Sequence, residues 1–278
     1  MRPPVIEVMS GILKVTILGC GSSGGVPRIG NIWGECDPDE PRNRRRRCSV
    51  LVQKAAEQGG ATTDVLIDTS PDMADQLNMA DQGRLDAVLY THAHADQAHG
   101  IDDLRMVAMN IRARVDVYMD KTTESWLMNR FDYCFETPPG SGYPPILNAH
   151  KMTAHEPVTI DGPGGPVTFE PLLMEHGSIP SLGFKVGGVA YSPDVNGVPQ
   201  RARDALNGID CWIVDALRRA PHPSHANLDM TLEWLAEMKP KLGVLTNMHV
   251  DLDYRTLCKE LPEGVVPAYD GMVLEYEL

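Results

Sequence analysis

The stretch 91–100 reads THAHADQAHG and holds His92, His94, Asp96 and His99. Neutral imidazole and carboxylate are the donors zinc prefers, and manganese and iron accept them too. His92 and His94 are two residues apart, so on an extended segment both side chains leave the same face. Two imidazoles on one side can share a metal ion, with Asp96 and His99 continuing round the turn. The competing reading is a histidine-rich surface loop. Against it stands the apolar run AVLY (87–90) directly upstream. That run reads as a buried strand whose C-terminal end delivers the cluster, which is where α/β proteins build sites.

One loop does not complete a coordination shell. His176 lies in LLMEHGS, Asp194 in VAYSPDVN, and His222, His225 and His249 in PHPSH and NMHVD. Each follows or ends an apolar run. The pattern repeats: a strand, then a ligand-type side chain. The six cysteines (20, 36, 48, 134, 211 and 258) are scattered with no CxxC pair. They read as reduced thiols and give a cysteine-bound structural zinc no support.

The elements that must carry these residues follow from the patterning. KVTILGCGSSGGVP (14–27) is a strand entering a tight loop, where glycine permits close backbone approach. GCGSSG loosely mimics a dinucleotide fingerprint, but turn-rich sequence follows it instead of a helix. RNRRRRCSVLVQ (42–53) sets five arginines before another strand. Most of them read as a solvated loop, with one or two available to meet phosphate bidentately. DVLIDTSPD (64–72) is a strand ending at Asp68. A short helix is expected over 74–83, capped by Gly83. Further helices are expected over 101–110 and 121–135, a strand over 115–120, and a loop over 138–150. After about 155 the chain is rich in strands, with helices near 199–206, 227–238 and 253–259. Strands with βα units in each half predict two facing mixed sheets with helices outside. This four-layer αβ/βα sandwich is expected to fill residues 1–278 as a single domain.

Composition limits the function classes. The chain has 278 residues, 42% of them hydrophobic, enough for a real core. No apolar run approaches the length needed to cross a bilayer. MRPPVIEVMSG lacks the apolar core of a signal peptide, so a cytoplasmic location without membrane attachment is expected. A formal net charge of −13 disfavours a nucleic-acid partner, which calls for a broad basic surface. A small phosphorylated substrate or nucleotide in a local basic pocket remains compatible with it.

Several pieces, in order, carry a family resemblance. They are LGCGSSGGVP (18–27), RRRCSVLV (45–52), LIDTSPD (66–72), THAHADQAHGIDDLR (91–105), MEHGSIPSLGF (174–184), YSPDV (191–195), DALRRAPHPSH (215–225) and LTNMHVDLDY (245–254). Together they resemble the metallo-β-lactamase superfamily, which carries HxHxDH after a strand, and within it the PhnP-type phosphodiesterases of phosphonate metabolism. The resemblance implies that His92, His94 and His176 hold a first metal, zinc or manganese. Asp194 bridges toward a second metal, which Asp96 binds. Asp68 would steady a ligand imidazole or its loop. His222 would protonate a leaving group, with His225 the weaker candidate. A homodimer is compatible with the same resemblance.

Two positions depart from the family pattern. Gln97 stands where histidine usually follows the motif's aspartate, and Asn247 stands in TNM where the family has THM. Both histidines belong around the second metal, and an amide oxygen is a poorer ligand for zinc. The second site is therefore expected to be weak, empty or suited to a harder ion such as manganese or magnesium. His249 is the expected substitute ligand, while His99 fits a surface or helix-capping role. The implied activity is metal-dependent hydrolysis of a small phosphodiester, first a cyclic ribose or nucleoside phosphate. Asp96 or Asp194 would orient the attacking water, and an arginine from 44–47, rather than Arg105, would meet phosphate. The rivals are a tRNA-processing nuclease, which needs a long basic arm not found here, and a thioester or lactone hydrolase, which keeps the full HxHxDH. A non-catalytic metal- or nucleotide-binding protein with a decayed second site is the rival from another class.

Overall fold

The computed structural model describes residues 11–278. The segment MRPPVIEVMS, part of the stretch read above for a signal peptide, lies outside the described residues. No helix among the described residues is long and apolar enough to cross a membrane.

In chain order the strands are β1 (Ile12–Gly19), β2 (Ser49–Ala55), β3 (Thr62–Ile67), β4 (Ala87–Leu89), β5 (Val115–Met119), β6 (Leu147–Lys151) and β7 (Val158–Ile160). Then come β8 (Val167–His176), β9 (Ile179–Val186), β10 (Val189–Ser192), β11 (Cys211–Asp215), β12 (Leu242–Thr246), β13 (Val265–Pro267) and β14 (Met272–Glu277). They form two seven-stranded mixed sheets, ordered β14-β1-β2-β3-β4-β5-β6 and β13-β12-β11-β10-β9-β8-β7. The helices are α1 (Met73–Met79), α2 (Ala95–Ala98), α3 (Leu104–Ile111), α4 (Lys121–Phe135), α5 (Gln200–Leu206), α6 (Leu228–Met238) and α7 (Tyr254–Glu260).

Alternation along each strand explains the layering, because neighbouring residues face opposite sides of a sheet. In β3, Val65 and Ile67 join the core between the sheets with Phe169, Phe184 and Ile213. Leu66 faces the other way, beside Met73 of α1 and Leu104 and Val107 of α3. Leu51 and Val88 repeat the outward choice in β2 and β4. The second sheet is covered by α5 and α6 through Ala202, Leu206, Trp234 and Leu235. Its buried Trp212 donates its indole N–H to Ser192 Oγ at 3.2 Å. The expected αβ/βα sandwich is the observed architecture.

Three local expectations change. The predicted loop over 138–150 ends in β6, which pairs parallel with β5 at the sheet edge. Only Leu147 of that strand is buried, so it lacks the apolar signal of an inner strand. The helix expected over 74–83 stops at Met79, and Asp81 takes a left-handed φ of 51° without help from Gly83. The helix over 101–110 divides into a 3-10 turn, Ile101–Asp103, and α3.

The site lies where parallel strands of both sheets end together. β3 and β4 run parallel and lead to Asp68 and His92. β10, β11 and β12 also run parallel and lead to Asp194, Asp215 and Asn247. The β8–β9 hairpin supplies His176 at its tip.

Candidate metal centre

His92 is oriented by a relay that starts one strand away. Asp68 sits just past β3 in a left-handed conformation, φ 66°, which non-glycine residues adopt only under local constraint. Its carboxylate accepts the Thr91 backbone N–H and the Thr91 hydroxyl, each at 2.8 Å. With that hydrogen committed, Thr91 Oγ1 accepts from His92 Nδ1 at 3.0 Å. The Nε2 atom of His92 is then left with its lone pair. It is buried, has no hydrogen-bond partner among the described residues, and lies 3.4 Å from Asp194 Oδ2. A buried lone pair beside a carboxylate is unfavourable unless a proton or a metal cation lies between them.

His176 reaches the same point from the second sheet. Its Nδ1 donates to the Ser224 carbonyl at 2.6 Å, which turns Nε2 inward. That nitrogen lies 3.2 Å from His94 Nδ1 and 3.8 Å from Asp194 Oδ2. Ligand atoms of His92, His94, His176 and Asp194 all lie within 4.8 Å of one another. Burial pushes the His176 imidazole down to about 4, so it is a neutral lone-pair donor at pH 7. Asp194 stays below the usual carboxylate range: burial opposes its ionisation, but the adjacent imidazoles of His92, His225 and His176 outweigh it. Three inward nitrogens and one carboxylate oxygen fit a divalent cation such as zinc.

The other oxygen of Asp194 meets different partners. Oδ1 accepts from Gln97 Nε2 at 3.3 Å and from Asn247 Nδ2 at 3.1 Å. The Cys48 thiol donates to the Gln97 side-chain oxygen, which fixes that amide's orientation. Asn247, itself left-handed at φ 59°, also donates to Asp215 Oδ1 at 3.1 Å. Asp215 Oδ2 in turn accepts from His225 Nδ1 at 2.8 Å and from the Val195 N–H at 3.1 Å. The Asp215 bond raises the His225 pKa to about 9 despite the opposing effect of burial.

The remaining sequence candidates spread around this centre. Asp96 lies in the first turn of α2, outside the four-residue cluster; burial and the Asp194 charge push its carboxyl up to about 6. His225 packs its ring 4.7 Å from that of His176, while His222 lies a further ring away, 5.0 Å from His225. His249, expected as a substitute ligand, instead faces Asp251 Oδ1 at 3.4 Å and Arg28 Nη2 at 3.5 Å. His99 ends α2 and packs against Phe131. Sequence reading gave no role to Thr91, Cys48 or Asp215. Asp215 had a usable signal, since it closes the apolar strand CWIVD as Asp68 closes VLID.

The arginines divide by partner. Arg45 is buried and donates to the Leu252 carbonyl at 2.7 Å and to Asn43 Oδ1 at 3.2 Å. Arg46 pairs with Asp75 and Asp270, and Arg47 grips Asp72 through two bonds of 2.8 and 2.6 Å. Arg105 pairs with Asp102 on the surface. Among the described residues, Arg28 and Arg44 have no carboxylate at salt-bridge distance. Both line a cavity of about 750 Å³ between the 23–32 loop and the arginine run. Gly19 lets this run lie close: a Cβ there would stand 2.0 Å from the Arg47 carbonyl oxygen.

Fold and site together define a metallohydrolase architecture. The family model for the β-lactamase superfamily domain matches residues 63–248. A crystal structure described as a new diphosphatase from the PhnP family superposes with a TM-score of 0.83 at 33% identity, covering 96% of this chain and 98% of that one. The chain therefore belongs to the metallo-β-lactamase superfamily, in its PhnP-type branch. Zn(2+)-bound PqqB from Methylobacterium extorquens shares the fold at TM-score 0.72 and 17% identity, over 94% of this chain and 99% of that one. A curated relative named octanoyltransferase, from Porphyromonas gingivalis, is 29% identical over 263 residues. That match takes in 94% of this chain but 51% of the relative, so the chain spans about half of that protein's length.

Proposed function

We propose that the chain hydrolyses a small phosphodiester, first a cyclic ribose phosphate or nucleoside cyclic phosphate, with a divalent cation, zinc or manganese, as cofactor. The observation carrying this reading is the convergence of His92 Nε2, His94 Nδ1, His176 Nε2 and Asp194 Oδ2 on one point. A divalent ion held there supplies Lewis acidity toward a phosphoryl oxygen and acidifies water toward neutral pH.

The chain's own groups then have separable tasks. Asp96 orients the attacking water. Thr91 and Asp68 hold the His92 ring, and the Ser224 carbonyl holds that of His176. Arg28 and Arg44, the cations without carboxylate partners in the cavity beside the 23–32 loop, meet the phosphate charge. A proton reaches the leaving oxygen from the histidine pair at 222 and 225. The resemblance favours His222, whereas His225 is held by Asp215 and packs next to the centre.

A phosphoric anhydride is the second reading, favoured by the 33%-identical relative described as a diphosphatase. One screen separates the two. Metal-stripped protein is reloaded with zinc, manganese or magnesium and offered ribose and nucleoside cyclic phosphates beside nucleoside diphosphates. Turnover of the cyclic esters, lost together with bound metal in His92→Ala, is the expected result. Hydrolysis of anhydrides alone would move the assignment to the second reading. Bound metal without turnover of either class would favour the binding-protein rival.

A further inference from the structure

Asp194 is shared between two environments, one for each oxygen. Oδ2 faces the imidazoles of His92 and His176, at 3.4 and 3.8 Å. Oδ1 faces the amide nitrogens of Gln97 and Asn247, at 3.3 and 3.1 Å. A carboxylate bridging two cations would spend its second oxygen on the second one.

We propose that this chain holds a single cation, and that the Gln97 and Asn247 amides replace the second one as hydrogen-bond donors to Asp194. This rests on the reading that His92, His94, His176 and Asp194 bind a cation at all.

The amide orientations are set by their other partners. Asn247 Nδ2 has two hydrogens and two carboxylates in reach, Asp194 Oδ1 and Asp215 Oδ1. Turning that amide over would aim its oxygen at both carboxylates. Gln97 is constrained from its far side, where its oxygen takes the hydrogen of Cys48. Cys48 is buried, and among the described residues no cation lies against its sulfur, so it is a thiol, which donates, and not a thiolate. Both amides therefore present N–H to Asp194, and an N–H group cannot ligate a cation. Among the described residues, Asp96 is then the one carboxylate left beside Asp194, and a single further oxygen does not make a second site; neither Asp215 nor His249 adds to it. Asp215 is committed to His225, Asn247 and Val195, and His249 is turned toward Asp251 and Arg28.

The test is metal stoichiometry, read without activity. Metal-stripped full-length protein is titrated with cobalt(II), following visible absorption, and the dialysed complex is analysed for cobalt per chain. The expected value is one for the wild type. The double variant Gln97→His with Asn247→His should bind two, with magnetic coupling between them in electron paramagnetic resonance. Should circular dichroism show that the double variant is unfolded, the isosteric Gln97→Glu replaces it. That variant puts an anionic oxygen beside Asp194 and should tighten the second equivalent at least tenfold. Two cobalt ions in the wild type would overturn this inference while leaving the metal centre intact. None would overturn both. A folded double variant that stays at one would show that the amides are not what excludes the second ion.

Discussion

Thr91→Val isolates the relay that turns His92 toward its ligand position. The two side chains have nearly the same shape, and Thr91 is fully buried, so packing changes little. What disappears is one hydroxyl with two jobs: donating to Asp68 Oδ2 at 2.8 Å and accepting from His92 Nδ1 at 3.0 Å. Asp68 keeps only the Thr91 backbone N–H on its other oxygen. A buried polar group stripped of its partner costs about 1–3 kcal/mol, and the loss falls on both the carboxylate and the imidazole. Loss of a hydrogen bond behind a ligating histidine lowers metal affinity by about 10–100-fold, or about 1.4–2.8 kcal/mol. Zinc affinity is measured by competition against a chromogenic chelator, and stability by urea unfolding with and without zinc. Thr91→Val should lose affinity by that factor, while Thr91→Ser, which keeps the hydroxyl, should recover most of it. A Thr91→Val protein within twofold of wild type in zinc affinity would refute the relay. So would a folded Thr91→Ser protein as weak as Thr91→Val.

Legibility from sequence differs between the centre and its surroundings. His92, His94 and Asp194 follow apolar strands that run parallel to a neighbour, and His176 closes the apolar strand β8, so their convergence could be argued from strand ends alone. Gln97 and Asn247 were visible as departures. That both aim at the same oxygen of Asp194 was not, because this depends on where two distant loops cross. The arginines make the same point. Arg44 to Arg47 are identical in type and adjacent in sequence, yet one stands over Trp33, one is buried under the Leu252 carbonyl and two are held by carboxylates. Their partners lie at positions 33, 72, 252 and 270, so composition could not divide them. The strand β6 escaped for another reason: edge strands need little apolar surface, and the signal fades with it.

Arg44→Ala should raise KM for a phosphodiester about tenfold with stability within about 1 kcal/mol, since an exposed cation–π contact contributes about that much at most. Arg45→Leu should instead unfold at lower urea, because the Leu252 carbonyl and Asn43 lose a buried donor; equal KM effects in the two variants would contradict this division. Gly19→Ala places a methyl 2.0 Å from the Arg47 carbonyl oxygen, where the backbone must move, and should cost about 1–3 kcal/mol. Gly142→Ala, with nothing within 4 Å among the described residues, is the neutral control in the same unfolding assay. Asp253 gives a pH prediction with a definite sign. It accepts from Asn43 Nδ2 at 2.6 Å, Thr256 N at 2.9 Å and Asp37 N at 3.1 Å, at the start of α7. Burial would raise its pKa, but these bonds outweigh burial and lower it from 3.8 to about 2. A carboxyl depressed in the folded state stabilises the fold above its unfolded pKa, and that contribution fades as pH falls from about 4 toward 2. Asp253→Asn keeps a helix-capping oxygen but cannot titrate, so its urea midpoint should fall less than wild type across that window. Parallel curves for the two proteins between pH 4 and 2 would mean that the three hydrogen bonds do not favour the ionised form.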